Sequence, residues 1–378
     1  MTVTRDDAVA LDREDPLAHC RSRFHLPSGV IYLNGNSLGA LPVGVAKRVD
    51  DLIEREWGDA LSRSWNGSWW DAPRRVGDKV ATLIGAEPGE VVVGDSTSVN
   101  LYKLVAAALR LRPGRDVIVT EEANFPTDLY IAQSIAAQQG ATIRFADPAD
   151  VAAAFDDDVA LVMLTHVNYR TGAMHDLDAV TAQAHLCGAL MLWDLCHSAG
   201  AVPVDLNGAR ADLAVGCGYK YLNGGPGAPA FLFVAERHQA AIRSPLSGWM
   251  GHAEPFAFEE RYRPNAGVRA MLCGTPPILG LAALEVGLDL QLAADRRAVE
   301  AKGQALCRLF IELVESRCAD HGLVLAGPRD MAERGLHVSF AHPDAHAIVQ
   351  AMIAHGVIGD FRDPDIARFG FSPLYLSY

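Results

Sequence analysis

The sequence contains no run of the roughly 18 uninterrupted apolar residues that a membrane span requires. Its opening segment, Met1 to Pro16, is polar and acidic and lacks the apolar centre of a secretion signal. Positive charge is in short supply: 33 Lys and Arg stand against 46 Asp and Glu, a net charge of −13. Such a surface offers no basic stripe to phosphates, which argues against a nucleic-acid partner. Cysteine is sparse and scattered. Its seven copies form no CxxC pair, and neither they nor the thirteen histidines show zinc-ligand spacing. The expectation is a cytoplasmic protein with reduced thiols, most of them in the core, no metal and no membrane association. Internal repeats and low-complexity tracts are also absent.

What the chain does have is length and apolar content. Its 378 residues, half of them apolar and 21% charged, suffice for one large domain and a smaller one. The first residues, to about position 45, read as a mostly irregular arm whose cluster Tyr32-Leu-Asn-Gly-Asn-Ser-Leu-Gly-Ala-Leu-Pro42 is a loop by its turn chemistry. Val43–Trp57 reads as a helix, with Val45, Val49, Leu52 and Ile53 at helical spacing. From Glu90 onward, short β-rich runs alternate with longer, mostly helical segments. The strand candidates are Val91–Val93, Val117–Thr120, Thr142–Phe145, Ala160–Thr165, Leu190–Asp194, Leu213–Val215 and Phe231–Val234, with helices such as Val99–Leu111 and Leu129–Gln139 between them. Several of these runs are apolar throughout rather than alternating, the pattern of strands covered on both faces. The fold class is therefore α/β: a mainly parallel seven-stranded sheet with helices on both faces, plus a smaller α+β domain. After Pro276-Pro277 the character changes to one long helical stretch, Ile278–Glu315, and a short αβ tail. The expected division is 1–50 as an arm and loop packing with the small domain, 51–277 as the large domain and 278–378 as the small one.

A dinucleotide site is disfavoured, because GxGxxG should follow the first strand and that junction reads Gly94-Asp-Ser-Thr-Ser98. The hydroxyls of that segment lie between a strand end and a helix start, where unpaired N–H groups suit a phosphate; the alternative is that Ser96 or Ser98 simply caps the helix. The run Leu190-Met-Leu-Trp-Asp194-Leu-Cys-His197 ends an apolar strand in a carboxylate. At the C-terminal end of a parallel strand it points into the ligand crevice and needs a cationic partner, unless it too is a cap. Lys220 lies between Tyr219 and Tyr221, after an apolar strand and before Gly224-Gly-Pro-Gly227. Lysine is rarely buried unless paired or reactive; the alternative is a surface turn. Phosphate cup, carboxylate and amine in this order are what pyridoxal 5'-phosphate (PLP) needs: an anchor, a partner for its ring nitrogen and an amine for its aldehyde. Phe125, in Asn124-Phe-Pro-Thr-Asp128, is a candidate to stack on the ring, or else a loop aromatic in the core.

These segments resemble the kynureninase family, within the fold-type-I PLP enzymes that also include class V aminotransferases and cysteine desulfurases. The most specific pieces are Tyr32–Gly39, Phe125-Pro-Thr-Asp128, Asp194-Leu-Cys-His197, Gly218-Tyr-Lys-Tyr-Leu-Asn-Gly-Gly-Pro-Gly227 and Gly248-Trp249. The resemblance implies hydrolytic Cβ–Cγ cleavage of an amino acid, L-kynurenine, to anthranilate and L-alanine. It implies that Lys220 carries the cofactor as a Schiff base, that Asp194 partners the pyridine nitrogen with His197 beside the ring, and that Thr97, Ser98 and Tyr219 reach the phosphate. Phe125 would stack on the ring, Asp128 close the pocket and Thr165 touch the cofactor. Trp249 and Thr275 would be lent to the phosphate by a neighbouring subunit, so a homodimer with shared active sites is implied. Arg368 would bind the substrate α-carboxylate, a task suited to the guanidinium fork, and Asn36, Trp65 and Gly274 would line the substrate site. Without the resemblance, Arg368 reads as a surface ion pair.

Two departures accompany the resemblance. The family usually continues past the Pro373-Leu-Tyr375 motif into a closing helix, whereas this sequence ends at Tyr378. Gly274-Thr275 and Trp65 resemble the bacterial type that prefers kynurenine over its 3-hydroxy form. The rival readings are a cysteine desulfurase or an aminotransferase of the same fold, or a non-catalytic scaffold. A desulfurase needs a reactive cysteine after the lysine, and Cys273, beside Gly-Thr-Pro-Pro, is the candidate.

Overall fold

The computed structural model of the protein describes residues 4–378. At its centre is a seven-stranded sheet in the order Val91–Val93, Phe231–Val234, Leu213–Gly216, Leu190–Asp194, Val159–Thr165, Val117–Glu121, Thr142–Ala146. Neighbours are parallel except at Phe231–Val234, which runs antiparallel to both strands beside it. The mainly parallel α/β expectation is borne out. Its cause is visible residue by residue: Val91, Val93, Met191, Trp193, Phe231 and Phe233 enter one apolar core, while Val92, Leu190, Leu192, Leu232 and Val234 enter the other. Because side chains alternate faces along a strand and both faces are buried, neither set can be polar.

A second, four-stranded antiparallel sheet is built in the order Val324–Leu325, His337–Ala341, Ile366–Gly370, Asp360–Arg362. The arm pairs Ile31–Tyr32 with Val357–Ile358 in a separate two-stranded parallel sheet. The helix expected over Val43–Trp57 forms as Gly44–Asp51 and continues in π-helical geometry over Leu52–Asp59.

Three expectations are corrected. The arm is not mostly irregular: Arg5–Glu14 is a helix, started by reciprocal hydrogen bonds between Thr4 and Asp7. It buries none of its residues, so no apolar periodicity marks it; residues 1–3 lie outside the described part. The long stretch after Pro277 is two helices, Ile278–Ala293 and Arg296–Arg317. Asp295 divides them because its carboxylate accepts the Arg297 and Ala298 N–H groups, which fixes a helix start there. The seven cysteines are all free thiols, but only Cys217 and Cys307 are buried; the other five are half-buried.

The arm is pinned by an ion pair out of water. Lys302 Nζ lies 2.7 Å from Asp15 Oδ2, and each side chain is 3% exposed. Removing one partner strands the other charge in the interior. Lys302→Ala is expected to lower unfolding free energy by about 3 kcal/mol in urea titration, and the apolar double change Lys302→Met with Asp15→Leu to recover most of it. A loss near zero in the single variant would show that water reaches Asp15.

Candidate active site

The chain turns that carry chemistry gather where the parallel strands end, the usual ligand crevice of an α/β sheet. After Val91–Val93 the backbone reverses through Asp95, which has positive φ (55°) and is fastened by the buried Lys103, Nζ to Oδ2 2.5 Å. Ser96 then caps the helix Thr97–Leu111 by accepting the Val99 N–H. The capping task therefore falls to Ser96, and Thr97 and Ser98 are free to line a cavity. After Leu190–Asp194 the carboxylate of Asp194 accepts the Cys196 N–H at 2.7 Å while its side chain faces the same cavity. The turn bearing Lys220 is held from behind. Gly39 donates its N–H to the Tyr219 carbonyl at 2.8 Å, and a Cβ at Gly39 would meet the Lys220 carbonyl oxygen at 2.3 Å. Only glycine fits there, which explains part of the Tyr32–Gly39 motif.

The cavity has a volume of about 160 Å³. It brings together Thr97, Ser98, Phe125, Asp128, Thr165, Asp194, His197, Tyr219 and Lys220. Lys220 Nζ lies 3.3 Å from His197 Nε2, 6.0 Å from the centre of the Phe125 ring and 5.9 Å from that of Tyr219. Lys220 is half-buried, not in a surface turn, and Phe125 faces the cavity, 37% exposed, not the core. Burial, then the charges of Lys220, Arg368 and Arg362 with the neighbouring His337 imidazole, push His197 well below the usual imidazole range, so it is neutral and accepts from Lys220. Burial and the adjacent Asp194 push Asp128 well above the usual carboxylate range. Burial, then neighbouring Cys217, Cys196 and Asp194, raise the Tyr219 phenol.

The remaining candidates lie elsewhere. Trp249 and Thr275 do not line the cavity and are exposed. Trp65 packs in an aromatic cluster, 5.4 Å from Trp69 and 6.2 Å from Trp249, and Gly274 is exposed. Arg368 is not on the surface: it is 1% exposed and bound through Nε (2.8 Å) and Nη2 (2.5 Å) to Asp360. It also donates to the Tyr169 carbonyl and to Ser37 Oγ. Asn36, fully buried, accepts from Arg368 Nε at 2.9 Å once its amide oxygen faces the guanidinium. Sequence reasoning missed Thr127, Tyr169 and Cys196, which also line the cavity. Thr127 and Cys196 sit inside motifs already singled out. Tyr169 follows the strand Val159–Thr165 and packs edge-on against Phe125 at 5.2 Å; its place after a parallel strand was the available signal.

The donor set fits PLP. Asp194, buried beside Asp128, would offer a protonated ring nitrogen a carboxylate partner. Phe125 offers a flat face, the helix N-terminus with Thr97 and Ser98 an anion site, and Lys220 an amine. Among the described residues, no group of three or more His, Cys, Asp and Glu could hold a metal ion, and no helix is long and apolar enough to cross a membrane.

The same fold occurs in the apo cysteine desulfurase of Thermococcus onnurineus NA1, with a TM-score of 0.81 at 20% identity over 100% of this chain and 96% of that one. It occurs also in a C-DES mutant with glycine covalently linked to its PLP cofactor, at TM-score 0.80 and 19% identity, covering 94% of this chain and 95% of that one. Fold and cavity together define a PLP-dependent enzyme of fold type I. A match to the kynureninase C-terminal domain spans residues 299–378. Kynureninase of Pseudomonas fluorescens is 56% identical over 99% of this chain and 92% of its own length. That of Burkholderia pseudomallei (strain 1106a) is 55% identical over the same shares, 99% and 92%. The chain belongs to the kynureninase family.

Proposed function

We propose that this enzyme hydrolyses the Cβ–Cγ bond of L-kynurenine to give anthranilate and L-alanine, using PLP carried by Lys220. The observation that supports this most is the 56% identity to a kynureninase across 99% of the chain. When bound, PLP supplies an aldehyde that condenses with amines and a ring that withdraws electrons from the substrate's α-carbon. The protein's own groups do the rest. Thr97, Ser98 and Tyr219 would hold the phosphate, Phe125 would offer its face to the ring, and Asp194 would keep the ring nitrogen protonated, with Asp128, Thr165 and His197 closing the site around it. Lys220 would carry the cofactor and serve as the general base that takes up the α-proton. Tyr219, its phenol held protonated by burial, delivers a proton as the carbon–carbon bond breaks. Arg368 receives the α-carboxylate beside Asn36, and Trp65 with Gly274 frames the aryl ring.

The working unit is a homodimer with shared sites in the cytoplasm. Trp249 is 38% exposed, and the neighbouring Phe256 and Phe258 are 64% and 84% exposed, an apolar surface suited to a second copy that brings Trp249 and Thr275 to the phosphate. The aromatic surroundings of Trp65 favour kynurenine over its 3-hydroxy form, which a paired kcat/KM comparison reads directly.

Anthranilate fluorescence is the first test. Purified holoenzyme is expected to release anthranilate from L-kynurenine without any keto acid and to release no sulfide from L-cysteine. Sulfide release, or dependence on a keto acid, would instead make the enzyme a desulfurase or an aminotransferase. Cys273, the sequence candidate for a desulfurase nucleophile, lies outside the cavity with its Sγ 3.7 Å from Asp95.

A further inference from the structure

The strands Asp360–Arg362 and Ile366–Gly370 pair so that Asp360 stands directly opposite Arg368. Arg362, two residues along, reaches back to the same carboxylate, Nη2 to Oδ2 2.9 Å, and to Ser37 Oγ at 3.2 Å. Ser37 also receives Arg368 Nη2 at 3.2 Å and donates to Asp360 Oδ2 at 2.6 Å. The two guanidiniums thus converge on one carboxylate and one hydroxyl. Asp365, between the two strands in sequence, is engaged by Arg170 at 2.8 Å. The cluster is short of one negative charge. It is also short of an acceptor: Arg362 Nε is buried with no hydrogen-bond partner among the described residues.

Both deficits have the form of an anion. The Arg362 side chain is 36% exposed, but its Nε is out of water and unpaired, and such an N–H carries a desolvation cost that a charge-assisted hydrogen bond removes. The cluster adjoins the cavity, since Arg368 donates to the carbonyl of Tyr169, whose side chain lines it. Arg368 alone cannot supply a full fork. Its Nε and Nη2 are taken by Asp360, Ser37 and Asn36, and Nη1 already serves Tyr169.

We propose that Arg362 is a second carboxylate-recognition residue of the substrate site, with Asp360 as the internal counter-ion that Arg362 and Arg368 share until the substrate's α-carboxylate supplies the missing charge. The inference rests on the reading of Arg368 as the carboxylate site, and it assigns substrate selectivity to a pair of arginines instead of one. Replacing Arg362 with glutamine removes the charge and leaves Asp360 paired with Arg368.

The test compares wild type, Arg362→Gln and Arg362→Lys holoenzymes. KM for L-kynurenine is expected to rise roughly tenfold or more in Arg362→Gln, the worth of one charge-assisted hydrogen bond, with kcat changed less than about threefold. The inhibition constant of the amine analogue lacking the carboxylate is expected to stay within twofold, and Arg362→Lys to recover part of the loss. An unchanged KM, or equal weakening of the carboxylate-free amine, overturns the proposal. Titrating the cofactor absorbance with L-alanine gives a second readout, in which Arg362→Gln should again weaken binding and equal affinity refutes the role. Because L-alanine needs no cleavage chemistry, that titration decides the role of Arg362 even if the wild type fails to make anthranilate, an outcome that would sink the proposed reaction alone.

Discussion

Lys220→Ala is expected to abolish anthranilate formation while leaving PLP in the protein. The loss should be about 10³-fold or more, because one residue is both the covalent anchor and the base that moves the α-proton, and positioned acid–base groups alone contribute roughly 10² to 10⁴. Retention of the cofactor follows from the cavity. Thr97, Ser98, Phe125, Asp128 and Asp194 surround it independently of the lysine side chain. The variant should therefore copurify with PLP but show the absorbance of the free aldehyde. Lys220→Arg should do no better than alanine, since a guanidinium does not give up its proton in a protein. Removing the amine also removes the donor that His197 Nε2 accepts at 3.3 Å, so a modest fall in thermal stability is expected besides. Anthranilate fluorescence under single-turnover conditions measures the chemical step. Turnover within tenfold of wild type would move the base assignment to another group, with Tyr219 the next candidate by position.

The parts of this site that were legible in the sequence share a physical reason. Thr97-Ser98, Phe125–Asp128, Asp194–His197 and Tyr219-Lys220 are each a short contiguous turn at the end of an apolar strand, so local sequence carries both the chemistry and its address. The strands themselves could be read because the sheet is buried on both faces. Val91–Val93, Leu190–Asp194 and Phe231–Val234 form with the expected limits, and the other four extend by a single residue each. What could not be read depends on distant pairing. The insertion of Phe231–Val234 between Val91–Val93 and Leu213–Gly216 leaves no mark on any of the three segments. Asp360 is one acid among 46 Asp and Glu, and nothing near it in sequence distinguishes it. It acquires a role only when the antiparallel register sets it opposite Arg368. Surface helices such as Arg5–Glu14 stay hidden for the opposite reason, since burying nothing leaves no apolar period.

The burial of Arg368 changes what its removal should do. A surface arginine truncated to alanine would cost substrate binding alone. Here the same change strips Asp360, 17% exposed, of two hydrogen bonds, at 2.8 and 2.5 Å, and removes the donor to the Tyr169 carbonyl. Breaking a buried pair from one side costs roughly 3 to 5 kcal/mol, whereas the intact pair adds little net stability. Arg368→Ala is therefore expected to raise KM for L-kynurenine by about 10²-fold or more and also to lower unfolding free energy by about 3 kcal/mol, with Arg362 softening the second effect by remaining beside Asp360. The two losses can be separated. Adding Asp360→Asn to Arg368→Ala removes the stranded charge, so stability should return toward wild type while KM stays high. The cycle of single and double variants measures the coupling between the two residues directly. Arg368→Lys should fall between, keeping the charge but not the fork that meets two carboxylate oxygens at once. Recovery of both stability and KM in the double variant would mean that Arg368 serves the fold and that the substrate carboxylate is bound by other groups, with Arg362 first among them.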